Sequence, residues 1–429
     1  MNNPWKVRNI ELARGVPALP REEGIGGLYL VFWWQGVPLG HEVIDAGQLP
    51  MSVAQVEALA LKLIPHVVGN HLFAHGFQAP LPSTPLFDCP PSLEAITATP
   101  CPLAAMQERY ERAAPEATIS LVICTRDRPD DLKRCLAALN ELRLRPLQII
   151  VVDNAPSSDA TRRLVENFPN VEYVLEPKPG LSRARNAGVA RCRGDIVAFT
   201  DDDVVVHPDW LRGLLRGFDS PDIWAVTGPV FPAELESEAQ LLFQAGHHDF
   251  GWGYHRLTFD TAFFEHTKRK GAPVWRIGAG ANMAFRREVF EGVGGFDERL
   301  GAGASGCSED SEMWYRVLAE GGTCRYEPTA AVFHYHRGDL DSLGKQMNHY
   351  MRGHIAALLM QWQRYGHAGN LLRAYGILPA WYGAQVLSWI AHGGRPRQST
   401  LWTQIAGGIA GTKFFWQNRS PTQSDTRLK

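Results

Sequence analysis

Residues 196–206, with the sequence IVAFTDDDVVV, decide the class of fold. A run of apolar, strand-forming residues ends abruptly in three adjacent aspartates, Asp201, Asp202 and Asp203. Carboxylates clustered at the end of a buried strand are costly unless positive charge lies beside them. A hard divalent cation, which prefers oxygen ligands, is one way to supply that charge. A solvated, aspartate-rich turn is the alternative that this stretch alone leaves open.

The residues around this stretch alternate between strand and helix patterns. Apolar runs predict strands at 119–125, 147–153, 171–175 and 196–201, and amphipathic runs predict helices at 130–142, 158–168 and 180–192. Strands without polar alternation, separated by such helices, predict a largely parallel sheet covered on both faces. Ligands bind outside the carboxyl ends of such strands. Because Thr125, Asp153 and Asp201 each close one strand, we expect these side chains to face one crevice.

The composition is that of a soluble globular protein with room for two or three domains. The chain has 429 residues, with 43 Lys and Arg against 45 Asp and Glu. This balance, without long basic blocks, argues against a nucleic-acid partner bound by bulk electrostatics. The seven cysteines form no C-x-x-C pair, which is typical of reduced thiols in a cytosolic protein. The first residues lack the pattern of a signal peptide, so we expect a cytoplasmic location.

Three further regions lie before and after the segment of alternating strands and helices. Residues 1–75 contain a hairpin pattern and a helical pattern, which predict a small β-β-α module of unknown role. Residues 76–116 are rich in proline and predict a linker, with a short helix at 103–112. Residues 341–429 are predicted to be helical and are rich in Trp and Tyr. These last helices either pack as ordinary core helices or rest on the inner face of a membrane.

Taken in order, short motifs of this chain resemble glycosyltransferase family 2 over about residues 117–340. The motifs are TISLVICTRDRP (118–129), VVDNAP (151–156), PGLSRARNAG (179–188), TDDDV (200–204), GAGANMAF (278–285), GGFDERL (294–300) and SEDSEMWYRVLAEG (308–321). Each motif alone is weak evidence, and their shared order makes the resemblance specific. The resemblance implies the α/β nucleotide-diphospho-sugar transferase (GT-A) fold, a mostly parallel sheet with helices on both faces.

The resemblance also implies an activity, the metal-dependent transfer of a sugar with inversion from a nucleotide-diphosphate donor to an acceptor hydroxyl. The implied cofactor is Mg²⁺ or Mn²⁺, the acceptor is a saccharide, a lipid or another alcohol, and the pathway is polysaccharide or glycoconjugate synthesis. A nucleotidyltransferase is an alternative, but that class usually carries a Gly- and Lys-rich phosphate loop where this chain has Thr125-Arg126-Asp127-Arg128. A non-catalytic sugar-nucleotide-binding or scaffold protein is a second alternative.

The resemblance assigns roles to individual residues. It implies Asp203, Asp201 and His334 as metal ligands, and Asp310 as the catalytic base with Glu309 orienting the acceptor. The implied donor-binding residues are Thr125, Asp153, Arg185, Asn186, Asp201 and Asp202. The implied acceptor-binding residues are Gly280 and Asn282. Alternation along an extended segment would turn Asp202 away from its two neighbours.

Simpler structural roles remain open for several of these residues from the sequence alone. Asp153 and Asn154 fit an Asx-turn, which is compatible with nucleoside binding. Arg185 lies in the first turns of a predicted helix, where it either meets a phosphate or is solvated. Glu309 and Asp310 also fit an acidic helix start that interacts favourably with the helix dipole.

Overall fold

The computed structural model describes residues 3–73, 103–104, 108, 116–247, 254–391 and 400–420. The predicted linker and its short helix therefore lie almost entirely outside the described residues. The strands are β1 (Trp5–Glu11), β2 (Gly27–Trp34), β3 (Val37–Asp45), β4 (Ile119–Thr125), β5 (Gln148–Asn154), β6 (Val171–Glu176), β7 (Ile196–Asp201), β8 (Val204–Val206), β9 (Ile223–Thr227), β10 (Val230–Pro232), β11 (Leu257–Phe259), β12 (Asn282–Arg286), β13 (Thr323–Tyr326) and β14 (Val332–His334).

The helices fall into an N-terminal one, a set around the central sheet and a C-terminal group. They are α1 (Val53–Phe73), α2 (Pro129–Leu139), α3 (Ala160–Val165), α4 (Leu181–Val189), α5 (Trp210–Gly217), α6 (Glu238–His247), α7 (Thr261–Thr267), α8 (Arg287–Gly292), α9 (Glu309–Ala319), α10 (Leu340–Tyr365), α11 (Ala368–Leu372), α12 (Leu378–Ala391) and α13 (Leu401–Gln417). A π-helical turn, Arg373–Ile377, connects α11 to α12.

The centre of the structure is an eight-stranded sheet in the order β11-β13-β9-β12-β7-β4-β5-β6. Successive residues of β4 point to opposite faces, as a strand requires. Leu121 and Ile123 pack in one hydrophobic cluster with the apolar side of α2, and Val122 packs in a second cluster with α4 and α9. Helices therefore cover both faces of a mostly parallel sheet, which confirms the predicted α/β fold.

The sheet is not parallel throughout. The contiguous strands β7, β4, β5 and β6 are parallel, as the apolar runs predict. β12 is inserted between β7 and β9 and runs antiparallel to both. The edge strand β11 also runs antiparallel to its neighbour β13. The inserted strand brings the loop that precedes it, residues 278–281, towards the carboxyl end of β7.

A small second sheet, in the order β10-β14-β8, lies beside the carboxyl end of β7. β8 starts directly after Asp203, and its antiparallel pairing with β14 sets His334 opposite Val204. β10 runs parallel to β14 on the other side. The pairing of β8 with β14 joins two segments of chain that are far apart in sequence and positions His334 beside the aspartates.

The N-terminal module contains the predicted hairpin β2-β3 and helix α1, and it also contains a strand that the sequence analysis missed. This strand, β1, pairs in parallel with β2. The module packs against the small sheet. The ring of Trp33 stacks on His207 at 5.0 Å and lies 6.0 Å from the ring of Phe333, next to His334.

The C-terminal region is helical, as predicted. The long helix α10 packs against α9 and α13. Two glycines of α13 face the backbone of α10, because a Cβ atom on Gly407 would lie 2.3 Å from the Asn348 carbonyl oxygen, and one on Gly411 would lie 2.4 Å from that of Arg352. Among the described residues, no helix combines the length and apolar character needed to cross a bilayer.

Candidate active site

Three strand ends meet where the sequence analysis expected a crevice. Thr125 is the register partner of Asp153 between β4 and β5, and Cys124 pairs with Asp201 between β4 and β7. The predicted strand-closing residues therefore lie side by side at one edge of the sheet. We call this edge, formed by Thr125, Asp153 and Asp201, the crevice.

Two carboxylates and one imidazole converge at the β7 side of the crevice. Asp201, Asp203 and His334 each offer one ligand atom, and these atoms lie within 4.8 Å of one another. His334 Nε2 lies 3.0 Å from Asp203 Oδ1. Carboxylate oxygens with one imidazole nitrogen form a donor set that suits a divalent ion such as Mn²⁺. The predicted ligand set thus fits a metal ion chemically, and the three residues are brought together.

Arg128 is a site residue that the sequence analysis did not identify. Its guanidinium donates to Asp202 Oδ1 at 2.7 Å and to Asp203 Oδ2 at 3.0 Å. Asp202 also accepts a 2.7 Å hydrogen bond from Thr125, so its side chain is directed to Arg128 and Thr125. Burial raises the pKa of Asp202 to about 7, although Arg128 opposes the rise. A cluster of buried acids requires a nearby cation, and that requirement was the available signal for Arg128.

Arg185 links the metal-ligand set to the acidic pair at the start of α9. It is nearly fully buried and donates to Glu309 Oε1 at 2.5 Å. Its Nη2 reaches Asp201 Oδ1 at 3.4 Å and the Gly280 carbonyl oxygen at 3.3 Å. Burial raises the pKa of Glu309 to about 7, against the favourable charge of Arg185. The solvated-helix alternative for Arg185 does not describe this side chain.

Asp310 faces the same space as Arg185. Its Oδ1 accepts a 2.6 Å hydrogen bond from the Ser311 N–H, and the residue is half-buried. A Cβ atom on Gly280 would lie 2.9 Å from Arg185 Nη2 and 3.2 Å from Asp310 Oδ2. Burial raises the pKa of Asp201, and the charges of Asp203 and Asp310 add to the rise. Asp201 of the expected metal-ligand set and the expected base Asp310 are therefore close enough for their charges to interact.

Residues 120–294 match the family described as Glycosyl transferase family 2. This segment is a family 2 glycosyltransferase domain. The chain is 29% identical over 250 residues to the pre-mycofactocin glycosyltransferase of Mycobacterium tuberculosis, a match that covers 58% of this chain and 47% of that protein. It is 31% identical over 226 residues to the succinoglycan biosynthesis protein ExoM of Rhizobium meliloti, covering 50% and 65%. The chain thus spans about half to two thirds of the length of these relatives.

The family 2 domain is also similar to solved structures. The mannosyltransferase PcManGT from Pyrobaculum calidifontis, solved in complex with GDP-Man and Mn²⁺, aligns with a TM-score of 0.46 at 16% identity, covering 85% of this chain and 99% of that one. Glucosyl-3-phosphoglycerate synthase from Mycobacterium tuberculosis aligns with a TM-score of 0.41 at 18% identity, covering 59% and 83%.

The side of the crevice where the sequence analysis expected the nucleoside is formed by β5 and β6. Asp153 is buried at the end of β5 and accepts a 2.9 Å hydrogen bond from Tyr173 on the adjacent strand. Burial raises the pKa of Asp153. Tyr173 was not identified from the sequence. Its signal was available, because the register pairs Tyr173 with Val151, which lies two residues before Asp153 on the same face of the sheet.

Two predicted ligand-binding asparagines have their side chains bonded to the protein. Asn186 donates to the Phe296 carbonyl oxygen at 2.9 Å and accepts from its N–H at 2.7 Å. Asn282 is fully buried, accepts from Trp210 Nε1 at 2.8 Å and donates to the carbonyl oxygens of Pro229 and Ala330. In this structure both amides hold loops and strands in place, and their ligand-binding roles remain predictions.

Proposed function

We propose that the chain is a metal-dependent glycosyltransferase that moves a sugar, with inversion, from a nucleotide-diphosphate donor to an acceptor hydroxyl. The observation that carries the proposal is the position of Arg185. Its guanidinium contacts Asp201 of the metal-ligand set and Glu309 of the acidic pair. A donor phosphate beside the metal site would therefore be separated from the helix start that carries the proposed base only by the Arg185 side chain.

The metal ion would be held by Asp201, Asp203 and His334. When bound, it supplies positive charge against the donor diphosphate as that group departs. Mn²⁺ and Mg²⁺ both suit the carboxylates of the set. Arg128 holds Asp202 and Asp203 in place through three hydrogen bonds, so the ligand carboxylate is oriented before any ion arrives.

Asp310 is the proposed catalytic base. Ser311 fixes one of its oxygens, and the other faces Gly280. In-line attack requires the acceptor hydroxyl to approach the anomeric carbon opposite the leaving diphosphate, with Asp310 taking the hydroxyl proton. A base of this kind contributes about 10²–10⁴-fold in rate. Glu309 is buried against Arg185, so its proposed role is to hold Arg185 and the start of α9.

The donor and acceptor are assigned only by chemical class. Asp153 and Thr125 border the crevice on its β5 side and are proposed to meet the nucleoside. ExoM is named as a succinoglycan biosynthesis protein, which supports polysaccharide or glycoconjugate synthesis and a saccharide or lipid acceptor. A location at the inner face of the membrane is part of the proposal. The intact Asp201, Asp203 and Asp310 set favours an enzyme over a scaffold.

The proposal is tested by nucleotide release from a panel of UDP- and GDP-sugars with Mn²⁺. Wild-type protein is expected to release nucleotide from at least one donor, and chelation with EDTA should stop the release. Asp310→Asn should lose about 10²-fold or more in kcat while its Mn²⁺ affinity stays unchanged. Asp260→Asn, at the exposed N-terminus of α7, is the matched control. Equal, slow release by the wild type and Asp310→Asn would favour the scaffold alternative.

A further inference from the structure

The C-terminal helices carry a large part of the exposed apolar surface of the described residues. We use the name apolar C-terminal surface for the exposed large hydrophobic side chains from residue 372 onward. They are Leu372, Tyr375, Trp381, Leu387, Ile390, Trp402, Ile409 and Trp416. Leu387 exposes 69% of its area and Ile409 exposes 70%. Single exposed apolar residues are ordinary, but a group of this size marks an interaction site.

One side of α13 is occupied by protein and another is not. Gly407 and Gly411 pack against the backbone of α10. Trp402, Ile409 and Trp416 recur every seven residues, so they form a single stripe along the helix. All three are exposed. The glycine side of the helix therefore faces the protein, and the side that carries Trp402, Ile409 and Trp416 faces solvent.

Helix α12 extends this stripe into a broader surface. It contains no charged residue, and none of its residues is buried. The ring of Trp389 meets Trp402 of α13 edge to face at 5.7 Å, and the Tyr382 hydroxyl donates to Gln404 Oε1 at 2.9 Å. The two helices are therefore neighbours, and both expose large apolar side chains.

The charge of this region is one-sided. Residues 342–424 contain eight Lys and Arg and no Asp or Glu, although the formal net charge of the whole chain is −2. Lys413 and Arg419 are exposed on and after α13, and the Arg419 guanidinium lies 5.8 Å from the Trp416 ring. Arg373, in the turn before α12, stacks over Trp275 at 4.0 Å, and its Nε has no hydrogen-bond partner among the described residues.

We infer that the apolar C-terminal surface docks on an anionic lipid bilayer, with α12 and α13 lying in the plane of the interface. Tryptophan and tyrosine favour the headgroup boundary, and basic residues beside an apolar helix face are attracted by anionic headgroups. A second copy of the chain fits less well, because a symmetric contact would bring Lys413 and Arg419 towards the same cations of the partner. The inference rests on the membrane location included in the proposed function, and it is independent of the transferase activity.

The full chain is tested by co-sedimentation with vesicles of phosphatidylcholine alone or with added phosphatidylglycerol, without any sugar donor. We expect binding to the anionic vesicles at low salt and weaker binding at high salt. The double variant Ile409→Asn/Trp416→Ser should lose about tenfold or more of the vesicle affinity, because it buries less apolar area in the bilayer. Lys413→Glu/Arg419→Glu should lose binding to anionic vesicles. Leu147→Asn, a change at an exposed leucine before β5, should bind like the wild type.

Three results would overturn the inference. One is a full chain that stays in the supernatant with anionic vesicles at low salt. Another is equal binding by the wild type and Ile409→Asn/Trp416→Ser, with circular dichroism showing both proteins folded. The third is a dimer in sedimentation velocity that this double variant dissociates, which would assign the surface to a second copy.

Discussion

Arg185 on α4 donates a 2.5 Å hydrogen bond to Glu309 at the start of α9, across 124 residues of sequence. Both side chains are nearly fully buried. The same guanidinium contacts Asp201 and the Gly280 carbonyl oxygen. One side chain thus holds the end of β7, the loop before β12 and the helix of the proposed base in a fixed arrangement. Arg185 therefore connects these three elements and supplies positive charge beside Asp201.

Removing Arg185 is expected to destabilise the protein strongly. Arg185→Ala would leave Glu309 buried without a charged partner, which typically costs about 3–5 kcal/mol of unfolding free energy. The measurement is urea unfolding followed by circular dichroism. Arg183→Ala is the control, since Arg183 is partly exposed in its ion pair with Glu298 and such pairs contribute about 0–1 kcal/mol. Equal effects of the two substitutions would show that the Glu309 contact is unimportant for stability.

The metal-ligand set makes a separate prediction about ion binding. Asp203→Asn and His334→Ala should each weaken Mn²⁺ binding by about tenfold or more, because each removes one of three ligand atoms. Titration followed by electron paramagnetic resonance of free Mn²⁺ measures the affinity directly. His266→Ala, at an exposed histidine of α7, should bind Mn²⁺ like the wild type. Unchanged affinity of both ligand variants would place the ion elsewhere.

Gly280 is predicted to be required for its small size. A methyl group there would lie 2.9 Å from Arg185 Nη2 and 3.2 Å from Asp310 Oδ2. Displacing these groups by a fraction of an ångström or more should lower kcat/KM by up to about 10²-fold in Gly280→Ala. Steady-state kinetics with the donor found in the screen would measure this. A methyl group at Gly292 meets nothing within 4 Å, so Gly292→Ala is the control, and equal activity of the two variants would contradict the prediction.

A substitution at Asn282 tests whether this residue has a structural role or the predicted acceptor-binding role. Asn282→Ala leaves Trp210 Nε1 and two carbonyl oxygens without their partners, so we expect a loss of about 3 kcal/mol or more in unfolding free energy. The folded fraction should keep its acceptor KM. A raised KM with unchanged stability would instead support the role implied by the family resemblance.

His354 provides a pH test. Burial, together with the charge of Arg373, lowers the pKa of His354 to about 3. An unfolded chain would bind a proton at this residue below about pH 6.5 while the folded chain does not, so the contribution of His354 to stability falls as the pH drops from about 6.5 towards 3. The slope is at most about 1.4 kcal/mol per pH unit. In urea unfolding, His354→Phe should gain stability relative to the wild type between pH 7 and pH 5. A constant difference would contradict the assignment.

The sequence predicted the parallel half of the sheet because β4, β5, β6 and β7 are long, apolar and separated by amphipathic helices. It did not predict the antiparallel insertion of β12 or the pairing of β1. A five-residue strand such as β12 (Asn282–Arg286) has little periodicity of its own. Its direction is set by β7 and β9 after those strands have formed, so the deciding contacts are non-local.

The site residues, like the strands, could be predicted where the signal was local in sequence and were missed where it was not. Asp201 and Asp203 were identified because their positions at a strand end are visible in the sequence. Arg128 and Tyr173 were missed because each acts through a neighbour on another element. Asn282 lies within a matching motif, and only the packing of Trp210 against it shows where its hydrogen bonds go. The motifs identified the region of the site. Only the contacts in the structure show which of its residues are bonded within the protein, as Asn282 is.

Trp33 belongs to the N-terminal module, and it contacts residues of the family 2 domain and the strand that follows it, which the sequence analysis treats as separate from the module. Its ring stacks on His207 and borders Phe333, one residue before a proposed metal ligand. A chain shortened to the segment from residue 117 onward would lose the contacts that Trp33 makes with Phe231 and Phe333 on the small sheet. The first seventy or so residues thus support the strand that carries His334, and we expect that replacing them with those of a relative would change how firmly His334 is held without altering any residue proposed to react.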